Sequence, residues 1–282
     1  MKDLRIMSQN LLGTDTEYPN YVKNPKWAER ITVDLAEHTI EKRHPRFLAL
    51  LERYKPDSIG VQECSTHWRK RLSDGSLEKI GYARVGADKH EKIGVIYNTS
   101  TVRLIESSSI WLTEKPNELD LSVEWRESPD DRLIERLGMY ALLEVIETGE
   151  RYIHFNTHID LPWNKIIQAK QVGVLLNYIK EIREKHGNPP AFLTGDFNFN
   201  YNSEAYAALI DGGIIDSAKA SKVRDGISSF NKLIGPDYAP LPIDYVVGTD
   251  NVEYRKHTVA YDKFDDFFVS DHYAVCADVT IN

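Results

Sequence analysis

The chain has few cysteines and lacks any long apolar run, and both absences limit the kind of protein it can be. Two cysteines, Cys64 and Cys276, occur among 282 residues, and each lies inside an apolar run. Buried free thiols of this kind favour a reducing compartment over a disulfide-linked secreted fold. No run approaches the roughly 18 apolar residues of a membrane span, and the amino terminus shows no segment of signal-peptide length. We therefore expect a cytoplasmic protein with no membrane partner.

A strongly basic character is lacking as well. The net charge is −8 at pH 7, whereas proteins that bind duplex nucleic acid usually present a basic face. Four of these eight negative charges are explained if four acidic residues share one metal site, where a bound cation reverses the local field. These residues are Glu63, Asp196, Asp244 and Asp271. The composition therefore disfavours strong binding of duplex DNA, and it indicates no obligatory protein partner.

No internal repeat, low-complexity tract or Gly/Ser linker divides the chain, so we expect a single domain over residues 1–282. The hydrophobic fraction of 41% and the charged fraction of 28% are typical of a globular protein with its own core. Two long irregular stretches, 13–39 and 114–136, interrupt the apolar pattern. Loops of this length are often functional, although a surface excursion packed on its own aromatic side chains explains them equally well.

Five short apolar runs begin or end at a cluster of polar residues. Runs of this length with polar or turn residues at their ends are typical of buried strands. Three or four of them carry the polar cluster at the carboxyl end, and the last carries it at the amino end. Antiparallel neighbours would therefore bring all five clusters to one rim of a sheet. The runs are 4–10, 58–63, 152–158, 191–198 and 270–275.

The remaining pattern predicts three helices and six further strands. Apolar residues at helical spacing, with stop signals behind them, predict helices over 46–54, 164–185 and 203–209. The further strands are predicted at 80–85, 93–98, 102–112, 137–146, 243–247 and 253–261. A purely parallel sheet needs a helix at every crossover, and this chain has too few. We therefore expect an α/β (α+β) protein with two stacked mixed β-sheets and helices outside.

Each polar cluster has both a chemical and an ordinary interpretation. Asp196 and Asn198 follow a strand, where they could supply a proton acceptor and an amide donor, or form an Asp/Asn turn. Asp271 and His272 start a strand, where an Asp-His pair more often forms a surface turn than a catalytic pair. Glu63 closes an apolar strand, and a carboxylate there must be solvated, paired or metal-bound.

The sequence leaves the roles of three more residues undecided in the same way. Asn10 could be a metal ligand or cap a strand. His158 could act on a substrate or be a hydrogen-bonded core histidine. Asp244 could orient a histidine or be an ordinary acid at the start of a strand.

Taken together and in chain order, these clusters resemble one known pattern. The chain is similar to the endonuclease/exonuclease/phosphatase superfamily, which includes pancreatic deoxyribonuclease, abasic-site endonucleases and poly(A)-shortening nucleases. The resemblance implies a four-layered α/β sandwich and a metal-dependent phosphoesterase. The residues that carry it are Asn10, Gln62, Glu63, Asn156, Thr157, His158, Gly195, Asp196, Phe197, Asn198, Ile243, Asp244, Tyr245, Ser270, Asp271 and His272.

The resemblance also implies a metal site. Glu63, with help from Asn10 and Asp271, would hold Mg²⁺ or Mn²⁺, because these cations prefer hard oxygen ligands. Asp196 would orient or deprotonate the attacking water, and Asn198 would steady the water or the phosphate.

Two histidines complete the implied catalytic set. His272, with its tautomer fixed by Asp244, would bind the phosphate or act as the general base. His158 would place a second imidazole near the phosphate or the leaving group. The resemblance leaves open whether Asp196 or His272 takes the proton. The run 158–161 lacks the second histidine that relatives often carry there.

A finer likeness points to bacterial relatives of the poly(A)-shortening nucleases. It implies substrate-binding roles for Arg136, Phe230 and Asn231 at the pocket rim, and for Glu91 before a central strand. A guanidinium suits a phosphate, and an exposed phenyl ring suits stacking on a base or sugar. A salt-bridge arginine and a core phenylalanine are the ordinary alternatives.

These inferences combine into one functional hypothesis. We expect a Mg²⁺-dependent phosphoesterase that hydrolyses a small phosphorylated molecule or a short single-stranded nucleic acid by in-line water attack. A broad-specificity nuclease acting on RNA or DNA is the alternative enzyme. A non-catalytic binding module on the same fold is the remaining alternative, and the filled catalytic positions argue against it.

Overall fold

A computed structural model describes residues 2–13, 35–118, 135–233, 235 and 239–281. The strands are β1 Lys2–Asn10, β2 Ser58–Gln62, β3 Tyr82–Gly86, β4 Gly94–Asn98, β5 Val102–Trp111, β6 Leu137–Val145, β7 Arg151–His158, β8 Ala191–Asp196, β9 Ile215–Asp216, β10 Val223–Asp225, β11 Asp244–Gly248, β12 Val252–Ala260 and β13 Ala274–Ile281. The helices are α1 Ile40–Tyr54, α2 Thr66–Leu72, α3 Ser76–Lys79, α4 Lys165–Lys185, α5 Glu204–Asp211 and α6 Ser217–Ala220, with a 3₁₀ turn at Leu35–His38.

The strands form two mixed sheets. One has the order β10-β12-β13-β1-β2-β4-β3, and the other has the order β5-β6-β7-β8-β11-β9. In the first sheet β1 runs parallel to β2 and antiparallel to β13. In the second, β8 runs parallel to β7 and antiparallel to β11. The prediction of two mixed sheets is confirmed. The five polar clusters belong to both sheets, so the expectation of a single sheet rim was wrong in that detail.

Three apolar layers hold the sheets and helices together. Between the two sheets lies a cluster that includes Met139 and Phe192. Helices α4 and α5 pack on the outer face of the six-stranded sheet through side chains such as Leu175. Helices α1 and α2 cover the seven-stranded sheet through side chains that include Phe47 and Trp68. Each such side chain contributes about 2 kcal/mol by leaving water. The four-layered α/β sandwich is therefore confirmed.

Most predicted elements are present with shifted ends. Helix α1 begins six residues before the predicted start and continues through Pro45, although proline removes one backbone hydrogen bond. Strand β13 begins at Ala274, so residues 270–273 precede the strand and were wrongly included in it. The short helices α2, α3 and α6 and the short strands β9 and β10 were not predicted. Much of the two irregular stretches, residues 14–34 and 119–134, lies outside the described residues.

Both cysteines are buried and free, as expected. Within the described part of the chain, we find no helix with the length and apolar character of a membrane span.

A buried polar layer crosses the space between the two sheets. His154 on β7 contacts the Ser58 hydroxyl through Nδ1 at 2.7 Å and the Thr194 hydroxyl through Nε2 at 2.8 Å. Nearby, Gln62 donates a hydrogen bond to Asn156 Oδ1 at 2.7 Å, and Asn156 donates to two backbone carbonyls of the other sheet. Because unsatisfied polar groups are costly in a core, these pairings fix how the sheets stack. The layer lies between the apolar core and the polar ends of the strands.

Candidate active site

The register of the central strands brings the polar residues to one edge of the sandwich. On the six-stranded sheet, His158 of β7 and Asp244 of β11 both lie directly across from Asp196 of β8. On the seven-stranded sheet, Asn10 of β1 pairs with Gln62 at the end of β2. Residues directly opposite each other across strands share a face and lie close together. The sheet geometry therefore clusters residues that are far apart in sequence.

Asn10 connects the two sheets at this edge. Its Nδ2 donates to Glu63 Oε1 at 3.1 Å and to Asp196 Oδ2 at 2.9 Å. The amide orientation is fixed because Oδ1 accepts a hydrogen bond from the Leu12 N–H at 2.9 Å. The second carboxylate oxygen of Glu63 accepts from the Gly13 N–H at 2.7 Å. In this arrangement Asn10 bridges two carboxylates through its NH₂ group.

Strained backbone surrounds the same residues. Leu12, Glu63 and Asn198 have φ values of 56°, 56° and 52°, in the left-handed region that favours glycine. Each such residue costs roughly 1–2 kcal/mol and persists only where surrounding contacts enforce it. The conformation of Glu63 turns its carboxylate toward Asn10 immediately after β2. Strain of this kind is typical of functional sites.

A buried arginine supports the loop after β1. Arg43 on α1 is fully buried and donates hydrogen bonds to the backbone carbonyls of Leu11, Leu12 and His38, the last two at 2.8 and 2.7 Å. These bonds satisfy a cation that would otherwise be expensive to bury. They also fix the chain that presents the Gly13 N–H to Glu63.

His272 and Asp244 form a buried, charge-assisted pair. His272 Nδ1 lies 2.8 Å from Asp244 Oδ2, and the Asp244 N–H donates to the Ser229 hydroxyl at 3.0 Å. Burial by itself lowers the pKa of His272, but the negative charges of Asp244, Asp196 and Asp271 outweigh it and raise that pKa well above its ordinary value. The Nε2 atom lies 3.8 Å from Asp196 Oδ2 and 3.9 Å from Asp271 Oδ1. His272 therefore places a positive charge among carboxylates.

Asp196 lies at the centre of the cluster and is almost fully buried. Its Oδ1 accepts from the Asn198 N–H at 2.9 Å, and its Oδ2 lies 3.4 Å from His158 Nε2. Burial raises the pKa of Asp196 to about 7, with a further contribution from the charge of Asp244. The neighbouring His272 opposes that rise. A carboxyl group with a pKa near neutrality is suited to exchanging a proton at neutral pH.

His158 and Asn198 are held against each other. Asn198 Nδ2 donates to the Ile159 carbonyl at 3.0 Å and lies 3.1 Å from His158 Nε2. The carbonyl contact fixes the amide orientation, so Nε2 accepts the second amide hydrogen and the ring proton resides on Nδ1. Burial lowers the pKa of His158 well below its usual value, and the nearby charge of Arg136 lowers it further. His158 is therefore a neutral imidazole.

The carboxylates near Asn10 fit a hard divalent cation. Burial raises the pKa of Asp271, and the negative charge of Glu63 adds to this effect, although His272 opposes it. Neighbouring carboxylates that repel each other at a partly open position are the donor set that Mg²⁺ or Mn²⁺ prefers. Asp196, Asp244 and His272 also lie within 4.8 Å of one another. That trio is a poor metal site, because His272 Nδ1 is hydrogen-bonded to Asp244 and the ring is charged.

The residues expected at the pocket rim have separate environments. Arg136 is only 8% exposed, and its Nε has no hydrogen-bond partner within the described ranges. Burial lowers the pKa of Arg136, and the charges of Asp160, Asp196 and Glu63 oppose that change, so the guanidinium lies near the cluster. Phe230 is half-buried, and its ring centroid lies 4.8 Å from that of His272.

Two of these residues lie elsewhere than expected. Asn231 is fully buried, and its amide donates to the Ser270 carbonyl at 3.2 Å, so its expected position at the rim was wrong. It stabilises the turn that carries Asp271. Glu91 faces solvent, and its carboxylate lies 3.7 Å from Arg69 Nε; among the described residues we find no hydrogen bond or ion pair that joins this carboxylate to the cluster.

Sequence reasoning missed several supporting residues. Arg43, Ser229 and Asp160 are all buried, and each positions backbone or side chains of the site. Asp160 accepts from the Leu161 N–H at 2.6 Å and from Asn164 Nδ2 at 3.0 Å. The one available signal was a carboxylate two residues after His158 and four residues before the predicted helix over 164–185.

Comparison with known proteins identifies the architecture that holds this cluster. A family model described as Endonuclease/Exonuclease/phosphatase family matches residues 41–272, which is most of the chain. The chain belongs to this family. Its members are hydrolases that act on phosphoester bonds, and this protein is a hydrolase of that class. No curated protein matches the sequence.

Solved structures agree on the fold. An endonuclease/exonuclease/phosphatase family protein from Bacteroides thetaiotaomicron is 20% identical, with a TM-score of 0.81 over 100% of this chain and 96% of the other. A mannosyl-6-phosphatase from the same organism is 21% identical, with a TM-score of 0.81 over 99% and 100% of the two chains. TDP2 of D. rerio, complexed with a single-strand DNA product, is 18% identical, with a TM-score of 0.67 over 99% and 100%. At these identities the likeness shows the fold alone.

Proposed function

We propose that the protein is a Mg²⁺- or Mn²⁺-dependent phosphoesterase that cleaves a small phosphorylated molecule by in-line attack of water. The observation that carries this proposal is the position of Asp196. It lies within 3.8 Å of the ring nitrogens of His158 and His272 and is joined through Asn10 to Glu63. A proton acceptor, two imidazoles and a carboxylate metal ligand thus surround one space.

Glu63 and Asp271 are the residues that would hold the metal ion, with Asn10 fixing the position of Glu63. When bound, the ion polarises a phosphoryl oxygen and neutralises the charge that develops on it. The Gly13 N–H and the strained backbone at Glu63 hold the carboxylate ready for this role. Pre-positioning of this kind lowers the cost of assembling the site.

Asp196 would accept the proton of the attacking water. Its pKa of about 7 keeps a substantial ionised fraction at neutral pH while retaining basicity that an exposed aspartate lacks. The Asn198 N–H holds Oδ1 at 2.9 Å, which leaves Oδ2 directed at the space between the imidazoles.

The positively charged groups would bind the phosphate. His272, kept charged by Asp244, would donate from Nε2 to a phosphoryl oxygen, and the neutral imidazole of His158 would lie beside the phosphate. Arg136 is buried nearby, and its Nε has no hydrogen-bond partner in the part of the chain that the structure describes, so it offers a guanidinium of the geometry that matches phosphate oxygens. Phe230 packs on His272 and limits how far that ring can rotate.

A small substrate is favoured over a nucleic acid. The chain carries a net charge of −8, and a protein that binds several phosphates of a strand needs several cationic contacts. One structural neighbour is a mannosyl-6-phosphatase, which is consistent with a phosphorylated small molecule. Another was solved with a single-strand DNA product, so a nuclease acting on short single strands is the second candidate.

We also propose a cytoplasmic location and a single domain over residues 1–282. The two buried free thiols support a reducing compartment. The pairing of β1 with β13, and of β1 with β2, supports a single unit, because strands from both ends of the described chain share one sheet.

The test is ester hydrolysis by metal-free protein supplied with Mg²⁺, Mn²⁺ or chelator, measured as inorganic phosphate from monoesters, p-nitrophenol from nitrophenyl esters and shortened products from oligonucleotides. The substrates are p-nitrophenyl phosphate, bis(p-nitrophenyl) phosphate, sugar phosphates, and single-stranded RNA and DNA oligonucleotides. We expect metal-dependent hydrolysis that Glu63→Gln reduces by about a hundredfold or more, with a higher metal concentration at half-activation. Glu147→Gln, which changes an exposed acid in the β6–β7 turn, is the matched control and should behave as the original protein.

Two results would overturn the proposal. If none of these esters is hydrolysed with either metal, the proposed activity is refuted. If the Glu63→Gln variant is fully active, the proposed metal site is refuted. Cleavage of oligonucleotides in preference to small esters would favour the nuclease instead.

A further inference from the structure

A cleft of about 770 Å³ opens beside the proposed catalytic residues. It lies between the turn that precedes α4 and the turn that precedes α5, and Asn198 forms part of its wall. The side-chain amide of Asn198 also lies 3.1 Å from His158 Nε2, so the cleft adjoins the proposed phosphate position. Its volume is in the range of small-molecule sites. There is room here for the alcohol part of a phosphoester.

An exposed tryptophan forms one wall of this cleft. Trp163 is 72% exposed, whereas Trp68 and Trp111 are 0% and 7% exposed. Its neighbour Ile166, which also lines the cleft, is 48% exposed. A large indole left in water loses the free energy that burial would supply. Its flat face is suited to stacking against the apolar face of a ring.

Several hydrogen bonds hold the turn that carries Trp163. Asp160 is fully buried, and its Oδ1 accepts hydrogen bonds from the Leu161 N–H and from Asn164 Nδ2 on either side of the tryptophan. Gln168 on α4 donates to the Asp160 carbonyl at 2.8 Å and to the Asn198 carbonyl at 3.1 Å. These bonds tie the tryptophan turn to the opposite wall. A ligand would therefore meet a platform whose backbone is already ordered.

The opposite wall is polar but carries little net charge. It presents the amides of Asn200 and Asn202 and the carboxylate of Glu204, and Lys165 lies across the cleft. Amides donate and accept hydrogen bonds, as hydroxyl groups do. Among the described residues that line the cleft, Lys165 and Glu204 carry opposite charges that offset each other, so a second phosphate would gain little here. The chemistry suits a ring with several hydroxyl groups rather than the next nucleotide of a strand.

We infer that this cleft binds the sugar ring of a phosphorylated hexopyranose, with Trp163 stacked on its apolar face and the asparagine and glutamate groups on its hydroxyls. This inference rests on the proposed phosphoesterase activity and names the alcohol that leaves. The ester oxygen that joins the sugar to the phosphate would lie beside Asn198. Hydrolysis would release the free sugar and inorganic phosphate.

The test compares Trp163→Ala and Trp163→Phe with Ile146→Ala, which alters an exposed apolar side chain in the β6–β7 turn, at the opposite end of β7 from His158. The substrates are three hexose 6-phosphates, a 5′-mononucleotide, and ethyl phosphate, whose alcohol is too small to reach the indole. We expect Trp163→Ala to lower kcat/KM for a hexose phosphate about tenfold more than for ethyl phosphate. Trp163→Phe should show a smaller loss, and Ile146→Ala should show no selective loss.

Equal effects on hexose phosphates and ethyl phosphate would overturn this inference while leaving the phosphoesterase activity intact. A selective loss for the mononucleotide alone would assign the cleft to a nucleoside and also overturn it. If no ester is hydrolysed, the proposed activity fails, and fluorescence titration with methyl hexopyranosides then decides the question. Saturable quenching that Trp163→Ala abolishes would support a sugar site, and absence of quenching would reject it.

Discussion

Replacing Asp196 by asparagine should stabilise the metal-free protein at alkaline pH while it removes activity. Asp196 is almost fully buried beside Asp244, and it accepts a hydrogen bond from Asn10, which also donates to Glu63. Burial, with the charge of Asp244, raises the pKa of Asp196 from 3.8 to about 7. The ionised carboxylate is therefore less stable in the folded state than in the unfolded state. Asparagine has the same shape and cannot ionise, so it removes that cost.

Proton linkage determines the sign and size of the effect of Asp196 on the free energy of unfolding. A carboxyl whose pKa is raised on folding binds more protons in the folded state than in the unfolded state between pH 3.8 and about 7. Stability therefore falls as the pH rises through this window, and the full cost is about 4 kcal/mol above pH 7. At pH 5 the same relation gives a cost of less than about 2 kcal/mol. The asparagine also loses the hydrogen bond from Asn10 Nδ2, but this loss is the same at both pH values.

The measurement is urea unfolding of both proteins in chelator at pH 5 and pH 8. We expect the stability of Asp196→Asn relative to the original protein to rise by about 2–3 kcal/mol between pH 5 and pH 8. Glu147→Gln, an amide substitution at an exposed acid, should show no such change. A pH-independent difference for Asp196→Asn would refute the raised pKa, and with it the argument that Asp196 is the proton acceptor. The catalytic rate of this variant should fall by several orders of magnitude.

Two other perturbations follow from the same geometry. Burial lowers the pKa of His154 to about 3, so the folded state resists protonation, and the stability present above pH 6.5 is lost as the pH falls towards 3. At pH 5 this loss of stability is about 2 kcal/mol. Urea unfolding at pH 7 and pH 5 should show that His154→Gln no longer loses this stability. An unchanged pH dependence in the variant would contradict the burial argument. Arg136→Met should raise the inhibition constant for inorganic phosphate about tenfold or more, with Arg136→Lys intermediate, since a buried guanidinium near the cluster would be lost. Equal inhibition of all three proteins would place Arg136 outside the phosphate site.

The sandwich could be predicted because its strands have clear sequence signals. The apolar runs that became β1, β2, β7 and β8 each end at polar residues, and buried strands leave little freedom in where such residues emerge. Glu63, His158 and Asp196 follow or close these runs. Their meeting at one edge could therefore be predicted from the sequence pattern and the family resemblance. The structure adds that the edge belongs to two sheets, which Asn10 connects.

The supporting residues could not be predicted because their partners are distant backbone groups. Arg43 is an ordinary charged residue in a helical pattern, yet it is buried because the carbonyls of Leu11 and Leu12 receive its guanidinium. Asn231 and Phe230 are adjacent and looked alike as rim residues. Only the fold shows that Asn231 is fully buried at the Asp271 turn while Phe230 packs on His272. The left-handed φ of Glu63 has no sequence signal either, since that conformation normally favours glycine.

The site and the buried polar layer have opposite effects on stability, and their adjacency explains how the site persists. Around Asp196, like charges, burial and strained backbone all destabilise the folded chain in the absence of a cation. Directly beneath, His154 and Asn156 satisfy their hydrogen bonds across both sheets and fix the strands from which the site residues project. Because β7 and β8 carry residues of both sets, the strands cannot move apart to relieve the repulsion without breaking that layer. A metal ion at Glu63 would then offset charge that the fold already holds in place, and this links metal affinity to the rigidity of the layer below.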